Sequence, residues 1–355
     1  MDKMNTLNSS PINWSRREFV QKSSLAVIGM QVGLASGIPC QDNTNSYVIS
    51  EHIKPLKLSW LGTHKALEDY LRILQKMPQV VLIDPQDALF SQAEAVIIAV
   101  PLRQRAELAK RALLAGCHVL IDTPMACSYE EFDEIQGVAI QQDKRIAIAS
   151  FHRFLKSAYY AREIIFKQEI GEVTSIQIQV YSETTAPLLS GSQEGYVGKG
   201  LPLFDLVRWM CAKTPFTLTA APENRAATVY KPQKVLYLLV NFNRIPLAYM
   251  TTTLISPEIP GGWLITIYGQ KGILQLTANG DLQRLGETGR WEQLVRGEAI
   301  HYQIAMQCLL QDFIASCHSG KEPEVNSLDG MAGVALTLAT VDSAKTGKTI
   351  QMIEM

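Results

Sequence analysis

A proton relay at a hydroxyl-bearing carbon needs one group that takes a proton near neutral pH and another that polarises the oxygen. Few residues offer such chemistry. Lys199 is the only base-capable group in Gly198-Lys199-Gly200-Leu201-Pro202-Leu203, where the plain alternative is a solvated loop lysine. His152 and Arg153 are adjacent, a pair that could line a site or anchor an interface between domains. Asp205 and Arg208 have the three-residue spacing of a local ion pair rather than a catalytic one. His64 follows Thr63 in what reads as a helix's first turn and carries no chemistry. The six cysteines, at 40, 117, 127, 211, 308 and 317, show no paired metal spacing and are too sparse to staple 355 residues. No metal site is predicted, and Cys308 and Cys317, flanking an amphipathic helix, read as core.

Lys plus Arg number 33 and Asp plus Glu 34, so the net charge of -1 leaves no positive excess to hold a polyanion, and nucleic acid is excluded as a partner. No apolar run is clean enough to span a bilayer. Ser15-Arg16-Arg17-Glu18-Phe19-Val20-Gln21-Lys22, followed by the weakly apolar Ser23 to Gly37, resembles a twin-arginine export signal. Residues 1–45 are therefore read as signal and tether, with cleavage near Ala35 to Ile38 and a mature chain in the periplasm or otherwise outside the cytoplasm. Ile38-Pro39 lacks the small residues that a lipid-accepting cysteine needs before it, so Cys40 is read as no lipid anchor.

The elements that must position these side chains fall into two groups. Lys57–Leu61, Val80–Ile83, Ala95–Val100, His118–Ile121 and Ala147–Ala149 are strand candidates, and Ala95–Val100 is continuously apolar, as a strand buried on both faces must be. Helical spacing over Lys65–Met77, Ala106–Leu114 and Tyr129–Gln141 alternates with them, which predicts a parallel α/β domain over residues 46–150. Over residues 151–355 the pattern changes to α+β. Strands at Val173–Tyr181, Val235–Phe242, Leu247–Thr253, Trp263–Tyr268 and Gly272–Thr277 predict one open antiparallel sheet, with helices at Ala158–Phe166, Leu203–Met210, His301–Ser316 and Leu328–Ala344.

Ala95-Val96-Ile97-Ile98-Ala99-Val100-Pro101, then Ala106 to Pro124 with its Ala115-Gly116-Cys117-His118-Val119-Leu120-Ile121-Asp122-Thr123-Pro124 end, resembles the Gfo/Idh/MocA oxidoreductases. Phe151-His152-Arg153-Phe154, Leu203-Phe204-Asp205-Leu206-Val207-Arg208-Trp209, Tyr268-Gly269-Gln270-Lys271-Gly272 and Asp312-Phe313-Ile314 are similar to later landmarks of that family, in order. The resemblance implies a Rossmann-like nicotinamide domain followed by an open-sheet domain whose face makes a sugar or cyclitol pocket. It implies NAD or NADP held near Val100, Pro101, Asp122 and Pro124, and substrate near His152, Arg153, Lys199 and Asp205. By analogy it also implies a homo-oligomer, or a hetero-oligomer with an active homologue, built through the sheet.

At the positions of chemistry the chain departs from the pattern. Thr123 stands for the family's proton-transferring Lys, Pro202 for its His, and Arg105 where a His often follows the Val-Pro turn. The Gly-rich phosphate loop is not visible, and about fifty residues before Val96 hold two βα units rather than three, so the first unit reads as lost and the ribose-binding acid's place falls on Gly62. Three functions follow: an exported NAD(P)-dependent sugar or cyclitol oxidoreductase by resemblance, a non-catalytic carbohydrate- or partner-binding descendant, and an NAD-dependent glycosidase. The sequence leaves open whether the chain is an enzyme.

Overall fold

The computed structural model describes residues 54–62, 65–85, 90–182, 196–213, 215, 217–224, 234–242, 245–253, 261–298 and 300–352. The twin-arginine segment, Cys40 and His64 lie outside the described residues.

Five short parallel strands make the first sheet. They are β1 (Leu56–Gly62), β2 (Val80–Leu82), β3 (Ala95–Ala99), β4 (His118–Ile121) and β5 (Ile146–Ile148), in the order β2-β1-β3-β4-β5. All of β3 is buried, which accounts for its unbroken apolar run. Among the described residues three helices connect the strands: α1 (Lys65–Leu74), α2 (Leu102–Leu114) and α3 (Tyr129–Gln141). Ser128 caps α3, its hydroxyl accepting from the Glu131 amide.

The strand order corrects the expectation that the first βα unit is lost. β1 pairs with both β2 and β3. It is therefore the strand at which the sheet reverses direction, and in a doubly wound sheet that is the first strand. Gly62, at its carboxyl end, holds the place of the phosphate loop's first glycine, not of the ribose acid. Its φ is +119°, and a Cβ there would overlap the Ala99 carbonyl oxygen. The shortening lies instead beyond β2: residues 83–94 are too few for a crossover helix and a further strand, and no described residue pairs on that edge.

The second sheet has nine strands: β6 (Val173–Ser182), β7 (Thr217–Asn224), β8 (Lys234–Phe242), β9 (Ile245–Thr253), β10 (Gly262–Gly269), β11 (Ile273–Thr277), β12 (Leu282–Leu285), β13 (Trp291–Val295) and β14 (Ile350–Gln351). Their order is β13-β12-β11-β10-β6-β9-β8-β7-β14. The sheet is antiparallel except that β6 and β9 run parallel, a departure from the single antiparallel sheet expected. Ile176, Ile178, Leu247, Tyr249, Ile265 and Ile267 point to the buried face, while Gln177, Ala248 and Leu239 lie on the exposed one.

Helices α4 (Lys156–Phe166), α5 (Tyr196–Cys211), α6 (His301–Ser319) and α7 (Ser327–Thr346) complete the fold. α5 begins well before the expected Leu203, so Lys199 and Pro202 belong to a helix rather than a loop. The chain ahead of α7 runs along the edge of β5: the Ile148 amide donates to the Val325 carbonyl at 2.9 Å, and Ala147 bridges to Asn326. Asn326 and Asp329 form a reciprocal capping box that starts α7 at this edge. Gly330 lets the helix settle onto the first sheet, since a Cβ there would meet Met125 Sδ and lie 2.8 Å from Ile148 Cδ1.

Candidate functional site

The carboxyl ends of β1, β3 and β4 converge where a doubly wound sheet binds its ligands. One side chain ties the ends of β3 and β4 together. Arg105, in the first turn of α2 and 4% exposed, donates from Nε to the Val100 carbonyl at 2.9 Å and from Nη1 to the Pro124 carbonyl at 2.8 Å. Its Nη2 reaches Asp122 Oδ2 at 3.0 Å. Asp122 Oδ1 accepts from the Thr123 amide at 2.8 Å. The buried guanidinium is thus neutralised by Asp122 and bonded to two strand-end carbonyls, the arrangement that makes a buried cation tolerable. Val100, Pro101, Asp122 and Pro124 do gather at one place, but both Asp122 oxygens are engaged within the protein. The Tyr70 phenol is raised by burial and then by the Asp122 and Asp69 charges, so it donates no proton near neutral pH.

For a nicotinamide dinucleotide the fit is confined to the adenosine side. Gly62 supplies the close approach at the end of the switch strand, and Asp84, exposed just past β2, stands about twenty residues on, where a ribose acid belongs. Sequence reasoning missed Asp84 because it placed β1 second, although the Val80–Ile83 run ending in an acid carried the signal. The position of the third glycine is Leu67, 2% exposed within α1, whose bulk replaces the close helix packing that a glycine permits. On the nicotinamide side the described residues offer Thr123, the engaged Asp122 and Arg105, so no step through that group is derived.

The second cluster lies where the chain leaves the first sheet. Ser150 precedes a short 3-10 helix, Phe151–Phe154, and α5 brings Asp205 and Arg208 against it. Arg153, 3% exposed, donates from Nε to Asp205 Oδ2 at 2.8 Å and from Nη2 to Asp205 Oδ1. Its Nη2 also contacts Asp329 Oδ1 at 2.7 Å, and its Nη1 donates to the Glu324 carbonyl at 3.1 Å. Arg208 pairs with Asp329 and lies 3.4 Å from Asp205, while the Ser150 hydroxyl donates to Asp205 Oδ2 at 3.2 Å. The local pair expected of Asp205 and Arg208 is one edge of this four-charge network. Burial alone would raise the Asp329 carboxyl, but Arg153 and Arg208 hold it below its usual range. The Asn-x-x-Asp start of α7 could have revealed Asp329 as a capping acid. Its partners, more than a hundred residues away, leave no local signal.

His152 is brought beside this network but turned into rings. It stacks on Phe151 at 4.3 Å and meets Trp263 and Tyr302 edge-on at 6.1 Å, while Trp263 Nε1 donates to Tyr302 Oη at 3.0 Å. Its Nδ1 is buried without a partner, and burial lowers its pKa to about 4 against the opposing pull of Asp205. Such an imidazole is neutral at neutral pH and a poor proton acceptor. Of the expected pocket residues, Arg153 and Asp205 meet directly and His152 is close to Asp205. Lys199 is placed in α5, but its side chain lies outside the described residues. Pro202 interrupts the same helix, half-buried. Gly200 sits where a Cβ would come within 2.7 Å of Tyr249 Oη, so the helix is pressed onto the sheet. Among the described residues no group of His, Cys, Asp and Glu could hold a metal ion. No described helix is long and apolar enough to cross a membrane.

A doubly wound parallel sheet followed by a large mixed sheet defines a two-domain nucleotide-binding fold. Residues 44–150 match the profile of the Gfo/Idh/MocA oxidoreductases, described as an oxidoreductase family with an NAD-binding Rossmann fold. An uncharacterized oxidoreductase of Synechocystis sp. is 26% identical over 205 residues, 52% of this chain and 55% of its own length. Glucose-6-phosphate 3-dehydrogenase of Bacillus subtilis is 30% identical over 92 residues, 26% of each chain. The chain thus spans about half or less of these curated relatives. The solved structure of myo-inositol 2-dehydrogenase from Lactobacillus plantarum superposes with a TM-score of 0.69 at 17% identity, over 84% of this chain and all of that one, a likeness of fold.

Proposed function

We propose that this chain is an exported member of the family that binds a carbohydrate or cyclitol without carrying out hydride transfer. The observation that carries the reading is the closed network of Arg153, Asp205, Arg208 and Asp329, which engages the acid beside the expected pocket on both oxygens. Thr123 and Pro202 at the family's proton-transfer positions support it, because neither titrates near neutral pH. His152 is too weak a base to replace them. Its ring, with Trp263 and Tyr302, offers an aromatic wall of the kind that packs against the apolar face of a sugar ring. The dehydrogenases among its relatives and neighbours support the ligand class. A second copy, or an active homologue, is the proposed partner at the exposed face of the nine-stranded sheet.

The test is calorimetry on protein lacking residues 1–45 with myo-inositol, glucose and glucose 6-phosphate, each with and without NAD or NADP. The expected result is saturable binding of a sugar or cyclitol with no NADH or NADPH formed. Substrate-dependent reduction of either nucleotide would overturn the reading and restore the dehydrogenase, for which Gly62 and Asp84 already speak. NAD-dependent release of a sugar from a glycoside would establish the third reading instead.

A further inference from the structure

The edge of the first sheet opposite the nucleotide side carries a cavity of about 300 Å³. It lies where β1, β3, β4 and β5 begin, between those strand ends and the last turn of α6. Leu56 and Ala93 supply apolar wall, and the polar lining is Lys54, Glu94, His118, Lys144, Cys317 and His318. The only carboxylate among the described lining residues is already engaged: Glu94 accepts from the Lys57 amide at 2.9 Å and from Lys54 Nζ at 3.4 Å. Those contacts, with the nearby lysine charges, hold it below its usual range against burial. Lys144 has no acidic partner among the described residues and contributes a free positive charge. His118 uses Nδ1 to accept the Arg145 amide at 3.0 Å, which puts its proton on Nε2 and makes the ring a donor.

A concave site with a net positive lining, a fixed imidazole donor and an apolar wall has the chemistry of an oxyanion site. We infer that this cavity binds a small carboxylate or phosphate, held by Lys144 and His118 with His318 at the rim. Arg145, its charge met by Asp143 at 3.0 Å and Glu322 at 3.5 Å, ties the site to α6, since its Nε donates to the Gly320 carbonyl at 2.6 Å. A ligand there would bridge the first sheet and the end of α6, at the far end of the sheet from the pocket proposed above, and the inference does not depend on that pocket's function.

The experiment is titration calorimetry of the mature protein with citrate and, separately, with inorganic phosphate. It compares wild type with Lys144→Gln, with His118→Asn, which keeps an acceptor for the Arg145 amide, and with Lys213→Gln, an exposed lysine outside the lining. Saturable binding that weakens about tenfold in each cavity variant and is unchanged in Lys213→Gln is the expected result. Citrate binding alone assigns the site to carboxylates, and phosphate binding alone assigns it to phosphates. Absence of saturable binding to both overturns the inference, as does equal weakening in all three variants, which reflects charge alone. Circular dichroism of each variant establishes that it is folded.

Discussion

Asp329 joins two guanidinium groups in a buried setting, so its removal leaves Arg153 and Arg208 facing Asp205 alone. Asp329→Ala is expected to lower the urea midpoint by an amount equivalent to about 3 to 5 kcal/mol, the cost typical of an orphaned buried charge. It also removes the capping acid of α7. Asp312 is the opposite case. Burial raises its carboxyl to about 6, beyond the lowering by the Glu324 amide it accepts at 2.8 Å. The folded state therefore holds this proton more tightly than the unfolded one, and the resulting stability is present below about pH 4 and lost as pH rises through 6. Asp312→Asn keeps the acceptor and should leave the protein more stable than wild type above about pH 7, by at most about 3 kcal/mol. The two proteins should converge near pH 4, a comparison that denaturant midpoints at the two pH values decide. The place of Asp329 in the charge network and the burial of Asp312 were not legible in sequence. Asp205 and Arg208 gave up their local pairing by spacing alone, but Asp329 belongs to a separate helix, and burial is what makes Asp312 unusual.

At the level of elements, continuous apolar runs announced β3 and β4, and turn glycines announced the hairpins of the second sheet. The order of strands was not readable. A strand's composition reports that both faces are buried and says nothing of which neighbour buries its edges, so β1 was placed second and Asp84 overlooked. The start of α5 was misjudged because Gly198, Gly200 and Pro202 read as a loop, while close packing of Gly200 on Tyr249 makes a helix there favourable. The same kind of contact can be measured at α7. Gly330→Ala is expected to destabilise by about 1 to 3 kcal/mol through overlap with Met125 and Ile148. Met125→Ala in the Gly330→Ala background should recover part of that loss although it is destabilising alone. Additive effects of the two substitutions would show that the helix does not rest on Met125.

For the whole molecule, the two sheets were legible as α/β followed by α+β, and the family landmarks fixed their sequence along the chain. The export address proposed from the paired arginines is open to a direct test. Precursor in which Arg16 and Arg17 are both changed to lysine should stay in the cytoplasm, whereas wild type should be recovered in the periplasm at its mature mass. Recovery of the variant in the periplasm would assign the segment another role. The segment from Glu324 to Gln351 contributes to both sheets and to the charge network between them. Val325 accepts from Ile148, Asp329 meets Arg153, and Ile350 pairs with Leu218. A chain lacking the segment from Glu324 onward would leave β5 without its edge contact and Arg153 without the Asp329 countercharge, so it is expected to be degraded faster by a protease than the full chain.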